Sequence, residues 1–184
     1  MFLRRLGTFF LDFLEVIVFA VAIFLFFYLL ILQPHKIKGD SMQPNYPNGE
    51  YLLTEKVTYY LRNPERGDIV VFTPPVSTTD EFIKRVIGLP GEKVMVKGGH
   101  VYVNDQLLTE TYLKDSVVTS EGTFLTEGVD YTVPDGKYIV FGDNRPNSSD
   151  SRYWGPITKS AMSGRAWVIY WPLNLGGVVP KPTY

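Results

Sequence analysis

Cysteine is absent from this 184-residue chain, and histidine occurs only twice, as His35 and His100. The missing thiols exclude disulfides, a thiolate nucleophile and cysteine-ligated metals. The two histidines do not lie one helical turn apart, so neither a zinc site nor a histidine-based triad is expected. The sequence therefore predicts no metal and no cofactor.

A charge excess of either sign is also lacking, since 18 Lys and Arg residues stand against 19 Asp and Glu residues. Without a basic field, the chain has no surface suited to a nucleic-acid backbone, and no nucleic-acid partner is expected. There are no internal repeats and no low-complexity tract. Once the N-terminal segment is set aside, about 150 residues remain, enough for one globular domain.

One long apolar run lies near the N-terminus. It extends over 17 apolar or aromatic residues from Val16 to Leu32, and Phe13-Leu14 lengthen it across Glu15 to about 20 residues, which is enough to span a bilayer. The alternatives are a cleaved signal peptide, whose apolar region is usually shorter, and a buried core helix, which rarely lacks a polar face. We expect residues 1–33 to contain a transmembrane anchor and residues 34–184 to form the domain. Positively charged residues flank the run on both sides, so charge counting gives only a weak preference for an N-terminus inside.

The remainder has the pattern of an antiparallel β domain, because short runs of β-branched and aromatic residues alternate with Gly, Pro, Asn and Asp. The predicted strands are Glu50–Lys56, Asp68–Phe72, Phe82–Ile87, Lys93–Lys97, His100–Val103, Lys137–Phe141 and Arg165–Trp171. Other expected features are turns at Gly98-Gly99, Asn104-Asp105 and Leu89–Gly91, one helical turn within Val57–Arg62, and a surface insertion over residues 115–128.

Ser41 and Lys84 carry the chemistry that the sequence suggests. Ser41 follows the apolar run within Gly39–Pro44, and Lys84 lies in an apolar strand beside Phe82 and Val86 on one face. If that face is buried, desolvation lowers the lysine pKa and leaves a neutral amine that can take a proton from a serine hydroxyl. The alternatives are an ordinary turn serine and a surface lysine. Arg85 points to the opposite face, where a structural ion pair is expected.

Four sequence boxes follow the apolar run in a fixed order: Ser41–Pro44, Arg66–Phe72, Lys84–Glu92 and Gly142–Gly155. Together they resemble the bacterial type I signal peptidases, which are serine proteases with a Ser-Lys dyad, from the apolar run to about Trp171. One Ser-Met-x-Pro box alone would be unspecific, whereas four boxes in one order are not. The resemblance implies a mainly β, signal-peptidase/LexA-like fold. It also implies a single-pass protein of the cytoplasmic membrane, with the N-terminus inside and the catalytic domain on the extracytoplasmic side.

The resemblance implies Ser41 as the nucleophile and Lys84 as the general base of a reaction through an acyl-enzyme. It also maps Ser148 onto a serine that orients the lysine, and Asp150 and Arg152 onto an ion pair that braces the site. Asp143 and Asn144 are expected to organise a turn through side-chain to backbone hydrogen bonds.

The implied substrates are exported preproteins with small side chains at the first and third positions before the scissile bond, and the lipid bilayer is the second partner. Substrate contacts are expected near the boxes, from Ile37, Met42, Pro44, Tyr46, Phe72, Ile83 and Val86. Gly39 replaces a serine that helps to hold the oxyanion in some members, so the Ser41 N–H and a second donor must do so here. Asn45 stands where threonine is usual, and Pro146 where an acidic residue is common.

Two other functions are considered. A self-cleaving repressor of the same fold group would need an N-terminal DNA-binding helix-turn-helix where this chain has its apolar run. A non-catalytic, membrane-anchored assembly factor on the same fold would have no need of Ser41 and Lys84. The retained pair favours the peptidase.

Overall fold

The structure is a computed structural model that describes residues 2–184, so Met1 of the predicted 1–33 segment lies outside it. Its α-helices are α1 (Phe2–Leu30), α2 (Thr58–Leu61) and α3 (Ser151–Trp154), with 3-10 turns at Arg145–Asn147 and Lys159–Ala161. Its strands are β1 (Leu32–Lys36), β2 (Tyr51–Glu55), β3 (Ile69–Phe72), β4 (Phe82–Gly88), β5 (Lys93–Lys97), β6 (His100–Val103), β7 (Gln106–Leu107), β8 (Tyr131–Thr132), β9 (Lys137–Phe141), β10 (Ile157–Thr158), β11 (Met162–Trp171) and β12 (Gly177–Val178). The predicted mainly β class is confirmed.

Helix α1 contains most of the apolar run, up to Leu30. From Gly7 to Tyr28 it has 22 residues with a mean hydropathy of 2.6, and none of this stretch is buried against the rest of the chain. A helix of this length and composition can cross a membrane, because it satisfies its own backbone hydrogen bonds while its side chains face lipid.

The large sheet has the strand order β1-β2-β11-β3-β4-β9-β10, with β12 added beside β11, and neighbouring strands are antiparallel. Among residues 2–184, strand β1 pairs only with β2, so its outer edge is open. Strand β4 pairs with β3 along Phe82–Arg85 but with β9 only from Arg85 onward, so the outer edge of Phe82–Lys84 is open as well. These two free edges border the groove described below.

A smaller sheet with the order β7-β6-β5-β8 packs beside the large one. The Gly98-Gly99 and Asn104-Asp105 turns connect its strands as predicted, with positive φ at all four residues, as tight hairpin turns require. Three clusters of buried apolar side chains form the core. One of them, which includes Ile37, Met42, Leu52 and Val71, lies directly beneath the groove.

Two features of the chain differ from the sequence expectations. Helix α1 ends at Leu30 and the chain enters β1 at Leu32, so the expected boundary after residue 33 falls inside a strand. Pro34 hides this strand in the sequence, yet proline is tolerated there because β1 is an edge strand. The 115–128 segment has no helix or strand but is not wholly superficial, since Thr119 and Leu125 are buried.

Candidate active site

Ser41 lies in a turn that follows β1 and is fixed from behind by the loop after β9. Its carbonyl oxygen accepts a hydrogen bond from the Asn144 N–H at 2.9 Å, and the carbonyl of Asp40 accepts one from Asn144 Nδ2 at 2.9 Å. Gly142 permits this approach, because a Cβ there would lie 2.4 Å from the Ser41 carbonyl oxygen. These bonds join loops that are 104 positions apart in sequence and together hold the backbone of Ser41 in place.

Lys84 reaches this hydroxyl from β4. Its Nζ donates to Ser41 Oγ at 2.7 Å and to the Ile83 carbonyl oxygen at 2.9 Å. The residue is only 3% exposed. Burial lowers the pKa of Lys84 to about 8, although the Asp150 and Asp143 carboxylates act to raise it. An amine with such a pKa is partly neutral near physiological pH and can accept the hydroxyl proton.

Asp143 differs from the sequence expectation. Its carbonyl oxygen accepts from the Arg145 N–H at 3.0 Å, but its carboxylate is directed away from the turn and accepts from Arg85 Nε and Nη2 at 2.8 and 2.6 Å. Asn45 Nδ2 donates to the same carboxylate at 2.8 Å, so the residue in place of the usual threonine links the Ser41 turn to this ion pair. Asn144 does make a side-chain to backbone bond, but to Asp40 across the fold. Arg85 forms the buried ion pair expected from its face of the strand.

Ser148 also differs from the expectation, because it does not bond Lys84. Its Oγ is buried without a hydrogen-bond partner among residues 2–184. It lies against Gly142, where a Cβ would be 2.2 Å away, while Lys84 Nζ uses the Ile83 carbonyl as its second acceptor.

Asp150 and Arg152 form a fully buried ion pair, in which Arg152 Nε and Nη2 donate to the carboxylate at 2.8 and 2.9 Å. Asp150 also accepts from the Gly142 N–H at 3.1 Å, and Arg152 donates to the Arg145 carbonyl at 2.7 Å. The pair therefore ties together both ends of the loop that supports Ser41.

Arg145 is a supporting residue that the sequence reasoning missed. It is 1% exposed, forms an ion pair with Glu110 and donates to the Gly142 carbonyl at 3.1 Å. An arginine between Asn144 and Pro146 in a turn sequence gives no sign of burial, since arginine is rarely buried unless paired and its partner is distant in sequence.

Ser41 and Lys84 open into a groove of about 580 Å³ between the free edges of β1 and β4. Of the predicted substrate contacts, Ile37 and Ile83 line this groove. The others do not: Met42 and Tyr46 are buried in the core below it, Phe72 and Val86 belong to another core cluster, and Pro44 borders a different cavity. Leu52, Val71 and Phe82 also belong to the apolar lining and were missed, because proximity to a motif does not reveal which strands share a face.

The oxyanion side of Ser41 fits the expectation for Gly39. Gly39 has φ +88° and no side chain to offer, and the Ser41 N–H donates to no carbonyl oxygen within residues 2–184. That N–H is therefore available to a negatively charged oxygen formed beside Ser41 Oγ. Within the same residues, no cluster of His, Asp and Glu is arranged to hold a metal ion.

A serine hydroxyl bonded to a buried amine, beside a groove bordered by free strand edges, defines the class of serine hydrolases that act on extended peptides. Comparisons with known proteins agree with this class. The family model described as signal peptidase, peptidase S26, matches residues 10–171. The chain therefore belongs to the signal peptidase family of serine peptidases, whose reaction is the removal of signal peptides from preproteins.

Two named relatives align with most of this chain. The chain is 41% identical to a probable signal peptidase I-2 of Synechocystis sp. over 154 residues, which cover 81% of this chain and 67% of the relative. It is 34% identical to signal peptidase IB of Staphylococcus aureus over 172 residues, which cover 86% and 89%. A crystal structure of a signal peptidase I from Enterococcus faecalis aligns with 56% of this chain and 97% of that one, at 32% identity and a TM-score of 0.46.

Proposed function

We propose that this protein is a membrane-anchored endopeptidase that removes N-terminal signal peptides with a Ser41-Lys84 dyad, through an acyl-enzyme. The observation that carries the proposal is the 2.7 Å contact between Ser41 Oγ and the Nζ of a lysine that is 3% exposed. A charged, solvated lysine would be a poor base, whereas this one has a pKa of about 8 as a result of burial.

In the proposed reaction, Ser41 Oγ attacks the scissile carbonyl carbon while Lys84 Nζ takes the hydroxyl proton. The carbonyl oxygen becomes an oxyanion beside the free Ser41 N–H. When the C–N bond breaks, Lys84 returns the proton to the leaving amine, and the signal peptide remains as an ester of Ser41. Water then gives a proton to Lys84 and attacks the ester, which restores the hydroxyl and releases the signal peptide.

The proposed substrate position follows from the open strand edges. An extended peptide between β1 and Phe82–Lys84 can form main-chain hydrogen bonds to both edges. The apolar floor formed by Ile37, Leu52, Val71 and Ile83 then receives a side chain close to Ser41. This floor is continuous with the core, which favours small side chains before the scissile bond.

The proposed topology places α1 across the cytoplasmic membrane, with the N-terminus inside and the catalytic domain on the extracytoplasmic side. Ser41 follows the last residue of α1, Leu30, by only eleven positions. The Lys56 N–H also donates to the Ile31 carbonyl at 3.1 Å, so the helix end is tied to the sheet. A nucleophile so close to the anchor suits a substrate whose apolar segment is itself in the bilayer.

The test is cleavage of a preprotein with a small-x-small site by the full chain in detergent or vesicles. We expect Ser41→Ala and Lys84→Met to abolish cleavage, and the matched variants Ser116→Ala and Lys97→Met, at exposed positions, to retain it. Unchanged processing by either dyad variant would refute the dyad. A folded but inert wild type would instead favour the assembly factor.

A further inference from the structure

A second cavity, of about 430 Å³, lies on the face of β4 opposite to the groove. Lys84 lines the groove, whereas Arg85, the next residue of β4, lines this cavity, because successive strand residues point to opposite faces. Asn45, four positions after Ser41, and Tyr112 also line it. The cavity therefore brings together residues that are close in sequence to each member of the dyad.

The side-chain amide of Asn45 donates two hydrogen bonds at this cavity. Its Nδ2 lies 2.8 Å from Asp143 Oδ2 and 2.9 Å from the Tyr112 carbonyl oxygen. The amide nitrogen carries two hydrogens, one for each acceptor, and an amide oxygen in its place would face two acceptors. The orientation of the amide is therefore fixed by its partners. A threonine hydroxyl has a single hydrogen and could donate to only one of them.

The ring of Tyr112 lies on the guanidinium group of Arg85. The guanidinium carbon is 3.8 Å from the ring centroid, which is a close cation–π contact, while Nε and Nη2 of the same group donate to Asp143. On its other side, the Tyr112 ring contacts Tyr184 edge to face, with the centroids 6.2 Å apart. The Tyr112 hydroxyl donates to Glu110. The ring is thus held on Arg85 from several directions.

These contacts form two links between β4 and the turn that carries the proposed nucleophile. One link runs through Asp143 and the other through Tyr112, and both join Asn45 to Arg85. Both begin at the same side-chain amide, and both end at the residue next to the proposed base. The bonds from Asn144 fix the same turn to the loop after β9, not to the side chains of β4.

We propose that Asn45 and Tyr112 are positioning residues, which hold the Ser41 hydroxyl at the distance from Lys84 that proton transfer requires. The inference rests on the proposed function and deepens it. Neither positioning residue lines the groove, so their contacts should affect the chemical step and not the binding of the substrate. Proton transfer needs the two atoms within hydrogen-bond reach, and displacement of a reacting group by about 1 Å can lower a rate about 100-fold.

The first test is a series of substitutions at Asn45, which is exposed, so the core should stay intact. It measures kcat and KM separately for the full chain in detergent, on a preprotein peptide with an Ala-x-Ala site. Asn45→Ala removes both links and should lower kcat and kcat/KM equally, by at least about tenfold. Asn45→Thr retains one donor and should recover part of this loss. Asn45→Asp has the same shape but places an oxygen against two acceptors, so its kcat should be lower than that of Asn45→Ala. Asn174→Ala, at an exposed loop asparagine, is the matched control and should retain wild-type kcat.

The second test removes the ring of Tyr112. Tyr112→Leu leaves the backbone carbonyl in place and breaks one link, so kcat should decrease about two- to fivefold, the value of an exposed cation–π contact. Tyr112→Phe retains the ring on Arg85 and should restore most of the kcat. In the Asn45→Ala background, Tyr112→Leu should have little further effect, because both links are already broken. Tyr60→Leu, at a tyrosine that is 82% exposed, is the matched control.

The outcomes separate this inference from the proposed function. A wild type that does not cleave the peptide contradicts the proposed function, and the inference fails with it. If wild type is active, a folded Asn45→Ala variant that keeps the wild-type kcat, or that changes only KM, overturns the inference alone. A merely structural role would lower the Tm in thermal melts but leave kcat per folded enzyme unchanged. If Asn45→Ala does not fold, Tyr112→Leu and Tyr112→Phe decide, since equal kcat values in these two variants would overturn the inference.

Discussion

The pH dependence of cleavage should report the ionisation of Lys84. Burial lowers its pKa from 10.5 to about 8. At pH 7 roughly one lysine in ten is then neutral, compared with about one in 3,000 for an unshifted side chain, a gain of about 300-fold in active base. We therefore expect kcat/KM to rise about tenfold per pH unit in acid and to level off near the lowered pKa.

The assay is kcat/KM on a fluorogenic signal-peptide substrate with an Ala-x-Ala site, from about pH 5.5 to 10.5, because kcat/KM follows ionisation of the free enzyme. Circular dichroism at each pH serves as the control that the fold persists. Lys97→Met, which removes an exposed lysine, should give the same curve as wild type. A flat profile, or a rise centred near pH 10.5, the ordinary value for Lys84, would contradict the assignment of this residue as a buried base.

Three further predictions concern the surroundings of the dyad. Lys84→Met should increase stability at pH 7 by up to about 3 kcal/mol, because folding lowers the pKa of the lysine and so destabilises the folded wild type while the lysine is charged. Wild type should recover this stability as the pH rises from about 8 towards 10.5, and a variant that is less stable than wild type at pH 7 would contradict the reasoning. Gly142→Ala should lower kcat at least about 100-fold with the fold intact, because the new Cβ would lie 2.4 Å from the Ser41 carbonyl oxygen and would displace Ser41. A kcat close to that of wild type would count against the proposed position of the Ser41 nucleophile. Arg152→Met should shift the pH profile of kcat/KM to alkaline values, because an unpaired Asp150 carboxylate raises the pKa of Lys84. Adding Asp150→Asn should reverse the shift, and an unchanged midpoint in the single variant would show that Asp150 does not act on Lys84.

Most of the fold could be predicted from alternation and turn residues, because these patterns are local. All seven predicted strands are present, with ends displaced by at most a few residues. Strand β1 could not be found, since Leu32–Lys36 contains a proline and no alternation, and it is a strand only because β2 pairs with it. The two-residue strands β7, β8, β10 and β12 likewise depend on partners rather than on their own sequence.

The site was predictable as far as its motifs determine it. The serine and the lysine were proposed from their boxes, and the structure brings their side chains to 2.7 Å with Lys84 buried, as its apolar strand suggested. The partners of Asp143 and Ser148 were not predictable, because they depend on how two distant loops approach each other. Asn45 illustrates the difficulty: its bond to Asp143 joins residues 98 positions apart, and no local pattern indicates it.

The arrangement of charges around Lys84 favours its proposed role as a base. Asp143 and Asp150 both act to raise its pKa, and an ion pair with either would keep the amine protonated. Each carboxylate is instead held by two hydrogen bonds from an arginine, Arg85 in one case and Arg152 in the other. The guanidinium groups compensate the carboxylate charges, and desolvation is the larger effect on the lysine. Arginine does not lose its proton in proteins, so Lys84 is the basic group of this cluster that can become neutral. The same two ion pairs that brace the loops therefore favour the proposed role of Lys84 as the base for Ser41.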